Sequence, residues 1–134
     1  MTTQNYEKDV EVLKKHLKTK LWRSVPEQQN KWIALITDLC QLHSKALPSG
    51  LTIDPQGRPY YDNLTHRIIL NKYSVISLLH ELAHHFWGHN ETLAVNYSET
   101  VFLTAYKPAQ KNLVRDKRGW LVKRDTPATA GGGN

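Results

Sequence analysis

The sequence predicts an α+β fold: N-terminal helices, a small antiparallel sheet, then a histidine-bearing helix followed by a glutamate-bearing one. Three observations carry this. Apolar residues recur at steps of three and four in the first third of the chain. Between residues 51 and 70 the sequence turns β-branched and aromatic, broken by turn-forming residues. From residue 75 the helical spacing returns and holds to about residue 106.

In the first helix, expected from Tyr6 to Arg23, Val10, Leu13, Leu17 and Leu21 form one stripe. A second helix is expected to start at Ser24 as N-cap, with Pro26 in its first turn and Glu27 closing a capping box. Its apolar face reads Ile33, Ile36, Leu39, Cys40 and His43, and it runs to about Ala46 before "LPSG" turns the backbone. "LTID", the turn "PQGR" and "PYYD" then suggest a short hairpin, and "THRIIL" (65–70) a further strand. Ser74 fits as the cap of the next helix and Gly88 as its stop. Asn90 fits as the cap of the last helix, expected from Glu91 to Tyr106 and ended by Pro108. "GWLVK" (119–123) is a possible strand, and the closing "TPATAGGGN" is expected to be flexible.

At 134 residues the protein has the length of one domain. We place that domain at residues 1–106, with a basic C-terminal segment and tail at 107–134. An apolar fraction of 40% and a charged fraction of 22% fit a globular protein, and no apolar run is long enough to span a membrane. The charged N-terminal stretch has no apolar signal core, and Cys40 is the single cysteine. A cytoplasmic setting follows as the expectation. A lone cysteine also means that any metal must be held by histidine and carboxylate. The net charge is +6, and residues 107–124 hold seven basic residues against the single acid Asp116. That run is either a solvated basic face or a footprint for nucleic acid.

The chemistry concentrates in "SLLHELAHHFWGHNE" (77–91), where His80-Glu81-Leu82-Ala83-His84 is an HExxH motif. On a helix, His80 and His84 stand one turn apart on one face and can reach a single ion. Glu81 is rotated away by about a quarter turn, placed to deprotonate water on a metal rather than to bind the metal. Zinc is the expected cofactor. His85 points away from His84, and His89 follows the helix-stopping Gly88, so both are weaker candidates. An open zinc site needs a third protein ligand. Glu91 lies just past the turn. Glu99 lies farther along the next helix, and the helical rise per residue favours it.

"HELAH" followed by "ETLAVNYSETVF" resembles the ImmA/IrrE-type metallopeptidases within the HExxH zincin and gluzincin group. In these, a helix reading Glu-x-x-Ala-x-x-Phe-Ala with apolar residues after it follows the motif; here Glu91 and Ala94 match it, Tyr97 and Ser98 replace Phe and Ala, and Val101 and Phe102 follow. The layout is also similar to minimal gluzincins and to the zincin-like part of ArdC antirestriction proteins. The resemblance covers about residues 60–106 and implies a zincin-like fold. It also implies Glu91 as the metal ligand, leaving Glu99 as the alternative from spacing.

In zincins the strand before the motif helix presents an edge with which a peptide substrate pairs. By that resemblance the backbone of Ile68 and Ile69 would bind substrate. Tyr97, Tyr106, His66 or His85 could stabilise the oxyanion formed on attack, and the sequence does not choose among them. The leading expectation is a zinc metallopeptidase acting on a peptide or protein substrate. Minimal gluzincins are self-inhibited, which implies that the C-terminal segment could cover the cleft and keep the protein latent. The alternative is a non-enzymatic, nucleic-acid-associated or antirestriction-type module with a structural or vestigial metal. No membrane partner is expected.

Overall fold

The computed structural model describes residues 6–18, 29–106, 113–115, 117 and 121–123. Helix α1 (Glu7–Leu17) carries Glu7 and Asp9 in its first turn and Lys14, Lys15 and His16 in its last, matching the helix dipole at both ends. Its stripe of Val10, Leu13 and Leu17 is buried as expected. Leu21 and the start at Ser24, Pro26 and Glu27 lie outside the described residues.

Helix α2 (Gln29–Leu42) buries Trp32, Leu35, Ile36, Leu39 and Cys40. Ile33, assigned to that face from the sequence, is instead 38% exposed. The helix also stops short of Ala46. Ser44 takes a left-handed φ of 55°, and the Lys45 N–H returns to the Cys40 carbonyl at 2.8 Å, closing the helix end. No glycine marks this stop, so nothing in the residue pattern announces it.

The sheet departs most from expectation. Strands β1 (Gly50–Ile53), β2 (Tyr60–Asp62) and β3 (Arg67–Leu70) lie in the order β1-β3-β2. β1 runs parallel to β3 and β2 antiparallel to it, so the sheet is mixed and no hairpin joins β1 to β2. The physical reason is the run Ile68-Ile69-Leu70, all buried, which suits a central strand better than an edge. The tight turn falls between β2 and β3, where Asp62 Oδ1 accepts from the Leu64 and Thr65 N–H groups at 3.0 and 3.4 Å. The backbone of Ile68 and Ile69 is therefore flanked by strands on both sides and offers no open edge. Ile68 and Ile69 thus do not supply the substrate-pairing edge expected of them. The outer edge on that side of the sheet belongs to β2.

Helix α3 (Val75–Trp87) is capped by Ser74, whose side chain accepts from the Ser77 N–H at 3.3 Å. Val75, Leu78, Leu79, Leu82, Ala83 and Phe86 form its buried face. Helix α4 (Glu91–Ala105) is capped by Asn90, accepting from the Leu93 N–H at 3.0 Å, and buries Ala94, Tyr97, Ser98 and Val101. Ala94 and Ser98 are small and buried, which permits close packing of α4, and among the described elements α3 and α4 make the most extensive contact.

Among the described residues one apolar core joins helices α1 to α4 to β1 and β3. It is tied across by Asp9, whose Oδ2 accepts from the Tyr97 hydroxyl at 2.7 Å and pairs with His43 Nε2 at 2.6 Å. Strands β4 (Leu113–Arg115) and β5 (Leu121–Lys123) form a separate antiparallel pair. β5 answers to the strand expected in "GWLVK"; its partner β4 was not anticipated. The tail expected to be flexible lies outside the described residues. Among the described residues, no helix is long and apolar enough to cross a membrane.

Candidate metal centre

The apolar face of α3 fixes the helix against the core, which leaves His80 and His84 on the opposite side with side chains only 17% and 13% exposed. Their ring centroids are 5.0 Å apart. The turn through Gly88 (φ 87°) then brings the first residue of α4 under both rings. Glu91 places Oε2 3.0 Å from His80 Nε2 and Oε1 3.0 Å from His84 Nε2. One donor atom from each of these three residues lies within 4.8 Å of the others, the separation a shared cation would allow.

Hydrogen bonding decides what those contacts mean. His84 Nδ1 lies 2.8 Å from the Gly88 carbonyl oxygen, which only accepts, so Nδ1 carries the hydrogen. In the neutral ring Nε2 then presents a lone pair toward another lone pair on Glu91. Such a contact at 3.0 Å is favourable only with a proton or a cation between the two atoms. At His80, burial pushes the imidazole pKa down, against the opposing pull of Glu91, which favours a neutral ring. The donor set of two imidazoles and a carboxylate therefore fits a divalent metal such as zinc.

Glu81 is 5% exposed and lies on the walls of both cavities that flank His80. Burial pushes its carboxyl up to about 7, the range in which a carboxylate can take and return a proton near neutral pH. Glu99 stands on the wall of a cavity of about 420 Å³ beside His80, with Glu91 and Arg58. It is not in the convergent donor set. Helical rise alone neglects the reach of a glutamate side chain out of a short turn.

The remaining candidates stand outside the donor set, although His89 lines the cleft with His80, His84 and Glu91. Tyr97 is fully buried and donates to Asp9, so it belongs to the core; burial pushes its hydroxyl pKa upward. Tyr106 lines a different cavity with Leu17, Tyr73 and Phe102. His89 Nε2 is 3.1 Å from Asn63 Nδ2, which donates to it. His66 and His85 both meet Tyr61, whose hydroxyl lies 2.8 Å from His66 Nδ1 and 2.7 Å from His85 Nδ1. Tyr61 also lines the cleft that holds His80, His84 and Glu91. It is the residue that sequence reasoning missed. The signal was the alternation in "PYYD", which turns Tyr60 outward and Tyr61 inward once β2 is a strand.

No protein-family model, no curated protein and no solved structure matches this sequence.

Proposed function

We propose that this protein is a zinc-dependent metallopeptidase of the HExxH type, with a zincin-like arrangement of motif helix and glutamate helix. His80, His84 and Glu91 hold the metal. The observation that carries this is the carboxylate of Glu91 set 3.0 Å from both Nε2 atoms, with His84 held in the tautomer that leaves Nε2 free to ligate. When bound, zinc supplies Lewis acidity, bringing the pKa of water to about 7 and polarising a carbonyl.

Glu81 takes the proton from the attacking water and returns it to the leaving amine, a role suited to a buried carboxyl near pKa 7. A peptide lying beside the centre has the outer edge of β2 to pair with, and Tyr60 on that strand is half exposed. A cytoplasmic setting accords with the single, buried Cys40. The test is metal content by mass spectrometry together with peptide hydrolysis. Glu81→Gln should retain one zinc per molecule and lose hydrolysis, whereas a variant that cleaves as well as the wild type removes the proposal.

The basic run 107–124 favours a second reading, a nucleic-acid-associated module with a structural metal. Most of that run, and most of the 107–134 segment expected to cover the cleft, lies outside the described residues. Salt-dependent DNA binding that is unchanged by Glu81→Gln, in a protein without hydrolysis, would favour it.

A further inference from the structure

We infer that the cavity beside the metal centre, walled by Tyr61, His66 and His85 and edged by Lys45, binds a carboxylate of the substrate. The inference deepens the metallopeptidase reading and rests on it. The cavity encloses about 590 Å³ and shares His84 with the metal centre. Tyr61 lies on the wall between the cavity and the metal cleft. A residue adjoining the scissile bond would therefore enter it. The two sides of the centre differ in charge. Glu81, Glu91 and Glu99, together with Arg58, line the cavity on one side, while among the described residues no acid lines this one.

The hydrogen bonds along the wall have a fixed direction. His85 Nε2 is 2.7 Å from the Ala46 carbonyl oxygen and must donate to it. Its Nδ1 is then the acceptor for the Tyr61 hydroxyl. With that hydrogen committed, the Tyr61 oxygen accepts from His66 Nδ1–H. The relay uses only Nδ1 of His66 and leaves Nε2 open at the cavity wall, on an exposed ring. Elsewhere in this protein, histidine Nε2 atoms meet carboxylates directly, His16 with Asp38 at 2.7 Å and His43 with Asp9 at 2.6 Å.

A carboxylate bound at His66 accepts from its Nε2–H while Nδ1–H still donates to Tyr61, so the contact needs no rearrangement of the relay behind it. Lys45 on the cavity edge adds positive charge. His66 is also one of the two non-glycine residues with positive φ among the described residues, at 58°. Its carbonyl accepts from the Ser49 N–H at 2.7 Å, which pins the strained position next to the start of β1.

The test titrates the zinc-loaded protein with three probes, reading binding by calorimetry in every variant and the His66 ring signal by NMR where that ring is present. The probes are acetyl-Ala-Glu-amide, acetyl-Ala-Ala with a free C-terminal carboxylate, and the neutral acetyl-Ala-Gln-amide. An acidic probe should bind about tenfold more tightly than the neutral one, the worth of one charge-assisted hydrogen bond. Preference for the first acid assigns the site to acidic side chains, and preference for the second to the C-terminus of a peptide. The preference should vanish in Lys45→Met and in His66→Asn, since asparagine tolerates the left-handed backbone. Equal binding of all three probes, no binding of any, or a preference that survives both substitutions overturns the inference. If the acid preference holds but the zinc-loaded protein cleaves no peptide, the carboxylate site stands and the hydrolytic reading fails.

Discussion

At the scale of single residues, the centre makes two separable demands. Glu91 touches both imidazoles while Glu99 stands aside, so the two glutamates should respond differently to truncation. Glu91→Ala should weaken zinc binding by more than about a hundredfold, the upper end for losing a mere supporting partner. Glu99→Ala should leave it nearly unchanged, as read by competition titration of the metal-free protein. Glu81 makes the second demand. Its carboxyl is raised by burial from 4.5 to about 7 in the folded state. A raised carboxyl favours the folded state while protonated, so that contribution is complete below pH 4.5 and is lost as pH rises to about 7. In metal-free protein, Glu81→Gln should therefore be more stable than wild type above pH 7, by about 3 kcal/mol, and the gain should shrink toward pH 4.5. Denaturant melts at several pH values measure this. The motif residues were legible because the four-residue spacing of His80 and His84 survives in any helix. Tyr61 was not, because its role depends on which strand stands beside α3.

At the scale of elements, the centre depends on a three-residue turn. Gly88 has φ 87° and ψ −153°, a region only glycine occupies freely, and an added Cβ there would meet no atom within 4 Å. The cost of Gly88→Ala is thus conformational rather than steric, about 1–3 kcal/mol. Because Glu91 follows three residues later, the substitution should lower thermal stability and zinc affinity together. Loss of stability with unchanged affinity would show that the turn does not set the position of Glu91. The helices and their caps at Ser74 and Asn90 were readable, since periodicity and capping act locally. The order of the sheet was not. Pairing β1 with β3 in parallel is a long-range choice, driven by burying Ile68, Ile69 and Leu70 at the centre, and turn residues near "PQGR" say nothing about it.

At the scale of the whole molecule, the question is whether the metal holds the fold together or only uses it. The core runs from Tyr6 to Val101 and includes Trp32, Leu39, Leu78 and Tyr97, all fully buried, without any of the three ligands. Glu91 itself is 58% exposed. A site lying outside a complete core should bind metal without being needed for folding, unlike a small domain whose ligands are its core. The metal-free protein should therefore keep its helical circular dichroism and melt in one cooperative step. Zinc at a hundredfold excess over its Kd should add about 2.7 kcal/mol through linkage, raising Tm by about 10 °C. Glu91→Gln should shrink that rise while leaving the metal-free Tm close to wild type, since the exposed carboxylate adds little to packing. Collapse of the circular dichroism signal on adding a chelator would reverse the conclusion. The metal would then be structural, and the nucleic-acid-associated reading would gain what the peptidase reading lost.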